Sequence, residues 1–203
     1  MQSALLLIVL LFSLSGCDSE PPLTPLNSNA TILSFGDSLT YGTGANREQS
    51  YPAQLQLLTG IKVINAGTPG EISANGLKRL PALLDQHRPQ LLILCHGGND
   101  LLRKLSTEQL RGNLQQMIEL AQQRGTEVLL ISVPKPTLLL SPQPVYAELA
   151  EQHLLVDPIT VLADILGDNR LKSDAIHPNA QGYRQLAEAV AEKLKQQGAI
   201  SDS

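Results

Sequence analysis

From Thr31 onward, short apolar runs alternate with longer stretches in which apolar positions recur every three or four residues. Thr31–Phe35, Lys62–Asn65, Leu91–Cys95, Glu127–Val133 and Leu154–Val156 are runs of strand length. Continuous apolar runs of this size fit strands buried on both faces. Between them, Tyr51–Leu58, Ile72–His87, Thr107–Arg124 and Val145–Gln152 read as helices. A last amphipathic stretch, Asn179–Gln197, brings Leu186, Val190 and Leu194 onto one face. Strands alternating with helices predict an α/β domain with a doubly wound, five-stranded parallel sheet covered on both faces.

The N-terminus follows another pattern. Ala4–Phe12 is uninterrupted apolar sequence, followed by Ser13-Leu14-Ser15-Gly16-Cys17. The run is too short to cross a bilayer, which takes about 20 apolar residues, and it has the length of a secretory signal core. Leu14-Ser15-Gly16-Cys17 resembles a bacterial lipobox, although no Lys or Arg precedes the apolar run. That resemblance implies a signal peptide over residues 1–16 and a lipid anchor on Cys17. With Asp18 next in the chain, it also implies retention at the inner membrane of a Gram-negative cell, on the periplasmic side. An ordinary cleaved signal with a chance cysteine is the alternative. Pro21, Pro22 and Pro25 in a polar setting predict a flexible tether over residues 17–30, so the globular domain is expected over residues 31–199.

Composition narrows the function classes. A chain of 203 residues, 42% hydrophobic and 17% charged, suits one domain with a sizeable core. A net charge of −4 and an aromatic content of 3% without Trp argue against nucleic acid as a partner. They provide neither a basic footprint nor a base-stacking platform. Of the two cysteines, Cys17 is assigned to lipid, which leaves Cys95 without an intrachain partner and predicts no disulfide framework.

The candidate chemistry lies between these elements. Gly36-Asp37-Ser38-Leu39-Thr40 follows the first strand, Ala66-Gly67-Thr68-Pro69-Gly70 the second, and Gly97-Gly98-Asn99-Asp100 the third. Asp174-Ala175-Ile176-His177-Pro178 precedes the last helix. In a doubly wound sheet, the loops beyond the strand C-termini form the binding crevice. A serine hydroxyl becomes a useful nucleophile only with a base to take its proton and a third group to orient that base. Ser38, His177 and Asp174 offer that set. Of the four histidines, only His177 has a carboxylate three residues before it and a proline after it. His87 sits at a helix end and His153 lacks a suggestive acid. His96 adjoins Cys95, but neighbours on a strand point to opposite faces, which disfavours a Cys–His pair. The Asn99 amide and the backbone N–H groups of Gly67 and Ser38 are candidate donors to a developing oxyanion. Each also has an ordinary explanation as turn, Asx-turn or helix-cap material.

Gly36-Asp37-Ser38-Leu39, Gly67, Gly97-Gly98-Asn99-Asp100 and Asp174-Ala175-Ile176-His177 resemble, in order, the four blocks of the SGNH (GDSL) hydrolase family. Val63–Gly67 and His177–Tyr183 are most similar to its bacterial thioesterase I/lysophospholipase/arylesterase branch. The resemblance implies a flavodoxin-like three-layer α/β/α sandwich and cofactor-free, metal-independent hydrolysis of small-molecule or lipid esters. It implies Ser38 as nucleophile, His177 as base, Asp174 as its orienter, and Ser38, Gly67 and Asn99 around the oxyanion. No Gly-x-Ser-x-Gly elbow is present, unlike in ordinary α/β-hydrolases. Two other classes compete. A metal-dependent hydrolase would use Asp37, His96, Asp100 and His177, which lack a ligand spacing such as His-x-x-x-His. A membrane-tethered binding module would use the fold without turnover. Within the family, carbohydrate O-acetyl esters are the alternative substrate. Pro134–Pro142, with three leucines, is expected either to meet an acyl chain or to pack on the core. No pattern specifies the oligomeric state.

Overall fold

The computed structural model of the protein describes residues 23–137 and 140–201. The predicted signal peptide, Cys17, Asp18, and Leu138 and Leu139 lie outside the described residues.

In chain order, the elements run β1 (Thr31–Gly36), α1 (Ser38–Tyr41), α2 (Tyr51–Thr59), β2 (Lys62–Gly67) and α3 (Ser73–His87). They continue with β3 (Leu91–Cys95), α4 (Gly98–Leu102), α5 (Thr107–Gln122), β4 (Glu127–Leu130) and α6 (Pro144–Gln152). The last two are α7 (Leu162–Gly167) and α8 (Ala180–Gln196). The strands pair in parallel in the order β2-β1-β3-β4. The order reverses after β1, because β1 steps to β2 on one side while β3 and β4 extend the other. Right-handed crossovers then put α2 on one face and α3 and α5 on the opposite face. Packing agrees: α2 lies against α8, and α3 against α5. With layers on both faces, β3 is buried along its whole length, which is why its sequence is apolar without alternation.

The sheet has four strands among the described residues, where five were expected. Leu154–Val156 does not pair. Leu154 takes a left-handed φ of 53° and leaves 81% of its surface exposed. Pro158, just beyond, has no N–H to give a ladder. The chain touches the sheet edge only at Ile159, in a single parallel bridge to Ile131.

Residues 23–30 carry neither helix nor strand, yet they lie against the domain. The Leu23 N–H donates to the Gln197 carbonyl at 3.1 Å and the Leu26 N–H to that of Ala199 at 2.7 Å. The Thr24 N–H and hydroxyl both reach the Glu127 carboxylate. Leu23 and Ala30 are buried. Packing therefore starts at Leu23, inside the stretch read as tether, and it attaches where β4 begins, at the sheet edge opposite the loops that carry the candidate chemistry.

Candidate active site

Gly36 ends β1 and the chain turns at once into α1. Asp37 caps that helix, its Oδ1 accepting the Leu39 N–H at 3.0 Å. Ser38 thus occupies the first helical position, where a backbone N–H has no intrahelical acceptor. The Ser38 N–H makes no hydrogen bond among the described residues.

The other half of the site is a tight loop before α8. The Ser173 N–H donates to the His177 carbonyl at 2.9 Å, and Lys172 bridges Pro178. Inside this loop the N–H groups of Ile176 and His177 donate to Asp174 Oδ1 at 2.8 and 2.9 Å. Asp174 Oδ2 is left for His177 Nδ1, 2.7 Å away. An Asx-type turn therefore joins carboxylate and ring. The helix cap is Asn179, whose Oδ1 accepts the Gln181 and Gly182 N–H groups. A carboxylate at Nδ1 favours the proton there and leaves Nε2 as acceptor. Nε2 lies 3.0 Å from Ser38 Oγ. Burial alone would raise the Asp174 carboxyl, but the bonds from the His177 ring and from the Ile176 and His177 N–H groups outweigh it and hold it below the usual range.

Asn99 stands in the first turn of α4. Its Nδ2 donates to the Glu71 carbonyl at 3.0 Å and, more loosely, to Asp37 Oδ2 at 3.3 Å. Asp37 is fully buried. Burial pushes its carboxyl up, against the opposing pull of His96, the Leu39 N–H, His177 and the Asn99 amide.

Gly67 is close by but committed elsewhere. Its N–H donates to Asn65 Oδ1 at 3.0 Å. A Cβ at Gly67 would sit 2.1 Å from the Tyr41 nitrogen, so the residue is glycine because β2 runs hard against α1. Gly70 differs. Thr68–Glu71 is a turn closed by the Glu71 N–H on the Thr68 carbonyl at 3.2 Å, with Gly70 at φ 76°. That is the left-handed position a type II turn reserves for glycine after proline. The Gly70 N–H makes no hydrogen bond among the described residues, and the Asn99–Glu71 bond holds this turn against Asn99. The Pro69-Gly70 pair is the sequence signal for this turn.

The residues of the metal alternative go to separate partners. Asp100 accepts the Ser73 N–H and hydroxyl at 2.8 and 2.6 Å, while His96 bonds Glu71 and His177 bonds Asp174 and Ser38. Among the described residues, no three His, Cys, Asp or Glu side chains converge as metal ligands. Cys95 is buried and has no disulfide partner among the described residues.

A cavity of about 240 Å³ opens on Ser38, Asn99 and His177. Leu39, Leu102, Val133 and Ile176 supply much of its apolar wall. Pro134, Pro136, Thr137 and Leu140 also line it, so the leucine-bearing stretch after β4 does border the site.

Residues 34–185 match the GDSL-like Lipase/Acylhydrolase family. The chain is 33% identical to Esterase TesA of Pseudomonas aeruginosa over 193 residues, covering 90% of this chain and 96% of that protein. It is 31% identical over 201 residues to an arylesterase of Vibrio mimicus, covering 94% and 96%. Thioesterase 1/protease 1/lysophospholipase L1 of Escherichia coli is 30% identical over 173 residues, covering 81% and 83%. The crystal structure of TesA superposes with a TM-score of 0.73 at 32% identity, covering 82% of this chain and 99% of that one. The match spans most of the folded domain, and the chain belongs to the GDSL-like lipase/acylhydrolase family.

Proposed function

We propose that the chain is a serine esterase that cleaves carboxylic esters and thioesters through an acyl-enzyme. The observation that carries this is the bonded series Asp174 Oδ2, His177 Nδ1, His177 Nε2 and Ser38 Oγ, with steps of 2.7 and 3.0 Å. His177 Nε2 takes the Ser38 proton as Oγ attacks the carbonyl carbon. The resulting oxyanion is held by the Ser38 N–H, the Gly70 N–H and the Asn99 amide, with Gly70 in the place first expected for Gly67. The long Asn99–Asp37 bond is the one exchanged for the substrate oxygen. Preorganised donors of this kind lower the barrier by several kcal/mol. His177 then gives its proton to the departing alcohol or thiol, and water hydrolyses the acyl-enzyme with the roles reversed. The esterase, arylesterase and thioesterase/lysophospholipase names of the relatives support this reaction class. The apolar cavity wall favours acyl chains over carbohydrate O-acetyl groups, whose methyl would leave that wall uncovered. Ser38→Ala is expected to abolish hydrolysis of short p-nitrophenyl esters with the circular dichroism unchanged. Near-wild-type turnover in that variant would end the assignment.

The lipobox-like Leu14–Cys17 segment supports a second part of the proposal: a lipid anchor on Cys17 that tethers the enzyme in the periplasm, at the inner membrane of a Gram-negative cell. Cys17→Ser should release the protein from the membrane fraction. Unchanged sedimentation with membranes would reject the anchor.

A further inference from the structure

We propose that Arg79, Glu71 and His96 are positioning residues, which fix the oxyanion donors without touching the substrate; the proposal rests on the esterase reading above. Arg79 lies in α3, and its guanidinium reaches back across the Phe35 ring, 4.1 Å from the centroid, to the C-terminal edge of the sheet. There Nη2 donates to the Gly36 carbonyl at 3.1 Å, the Ala66 carbonyl at 2.9 Å and Glu71 Oε2 at 2.8 Å. Nε donates to Glu71 Oε1 at 2.9 Å. Gly36 is the residue before Asp37 and Ser38, and Ala66 leads into the Thr68–Glu71 turn. One side chain therefore ties the nucleophile turn to the loop that carries Gly70.

His96 closes the clamp from the first position after β3. Its ring is wholly buried, and Nδ1 accepts the Gly97 N–H at 3.0 Å. That bond places the ring proton on Nε2, which donates to Glu71 Oε2 at 3.2 Å. Room for the ring exists because α3 carries Gly76 opposite it, where a Cβ would come within 2.4 Å of Nε2. Glu71 is thus gripped from two sides, and burial, which would raise its carboxyl, is overcome by the His96 and Arg79 bonds, which hold it down to about 2. The gripped residue is the one whose backbone carbonyl accepts the Asn99 amide at 3.0 Å. Asn99 follows His96 by three residues, so the clamp and the peptide chain form one closed ring around the donor. None of the three clamp residues lines the cavity. A buried ion pair that served stability alone would be indifferent to the geometry of Asn99 and Gly70.

The test is steady-state kinetics on short p-nitrophenyl esters with the full mature chain, below each variant's melting temperature. Rates are normalised to fluorophosphonate-titrated sites. Glu71→Gln keeps the shape but turns an amide donor toward His96 or Arg79, and His96→Leu removes the ring donor. Both should lower kcat roughly tenfold to a hundredfold with KM within twofold, as expected for misplaced rather than deleted donors. His96→Gln keeps an N–H aimed at Glu71 and should recover to within about threefold of wild type. The idea is overturned if the folded variants lose melting temperature but keep kcat, or if KM alone rises. It is also overturned if His96→Gln is as slow as His96→Leu. Should His96→Leu fail to fold, Glu71→Gln against wild type decides alone. The outcome stands apart from the esterase assignment, which falls only if Ser38→Ala remains active.

Discussion

Asp174 divides its two oxygens between two tasks. Oδ1 accepts two backbone N–H groups and fixes the turn, and Oδ2 fixes the ring of His177. The carboxylate is half exposed, with 51% of the side chain open, so its Coulombic pull on an imidazolium is partly screened and its main service is orientation and tautomer. Asp174→Asn separates these. The amide oxygen can keep the turn at Oδ1, while the NH₂ group faces Nδ1 and drives the ring proton to Nε2, the atom that must accept from Ser38. We expect kcat to fall by about 10³-fold or more with the fold intact. Kinetics together with the imidazole proton resonances would check it, and a loss under tenfold would show that the tautomer is set by something other than Asp174. Gly67 and Gly70 teach the same point about residues: a glycine near a site has meaning only once the partner of its N–H is known.

At the scale of elements, α8 and the catalytic loop share one residue. Asn179 caps α8 through Oδ1, while its Nδ2 donates to the Arg170 carbonyl at 2.8 Å and reaches that of Lys172 at 3.4 Å. The cap and the loop base are therefore one device. Asn179→Ala should cost about 1 kcal/mol from the lost cap and lower kcat as well, because the loop carrying His177 loses its footing. Thermal melting with parallel kinetics would test this; a lower melting temperature with unchanged kcat would limit Asn179 to the cap. The long elements were legible because their periodicity is long: α3, α5 and α8 were expected within two residues of where they lie. The short helices α1, α4 and α7 were not, since one or two turns carry no period and are built by caps and tertiary bonds such as Asp37 on Leu39. Leu154–Val156 failed as a strand for a local reason, the left-handed Leu154 and the donorless Pro158. The Ser38, Asp174 and His177 set was visible as residue types and order. The Glu71–His96–Arg79 clamp was not, because it joins three elements through bonds that no spacing announces.

Across the whole molecule, the chain enters at one edge of the sheet and does its chemistry at the other. Residues 23–30 look like tether by composition, since Pro25 and a run of polar residues deny them helix or strand. They nonetheless lie against the domain. Leu23 retains 8% and Ala30 2% of their surface, and three backbone N–H groups and one hydroxyl find partners on α8's tail and Glu127. Removing Leu23 from water and pairing these groups stabilise the folded domain relative to a chain that lacks them. A chain starting at Thr31 should therefore unfold several degrees below one starting at Leu23, and both should keep the same kcat, because the lost contacts lie at the sheet edge away from Ser38. Denaturant melts of the two chains with esterase kinetics would decide it. Equal stability would return residues 23–30 to the role of tether, and a drop in kcat would mean that the two edges of the sheet are coupled.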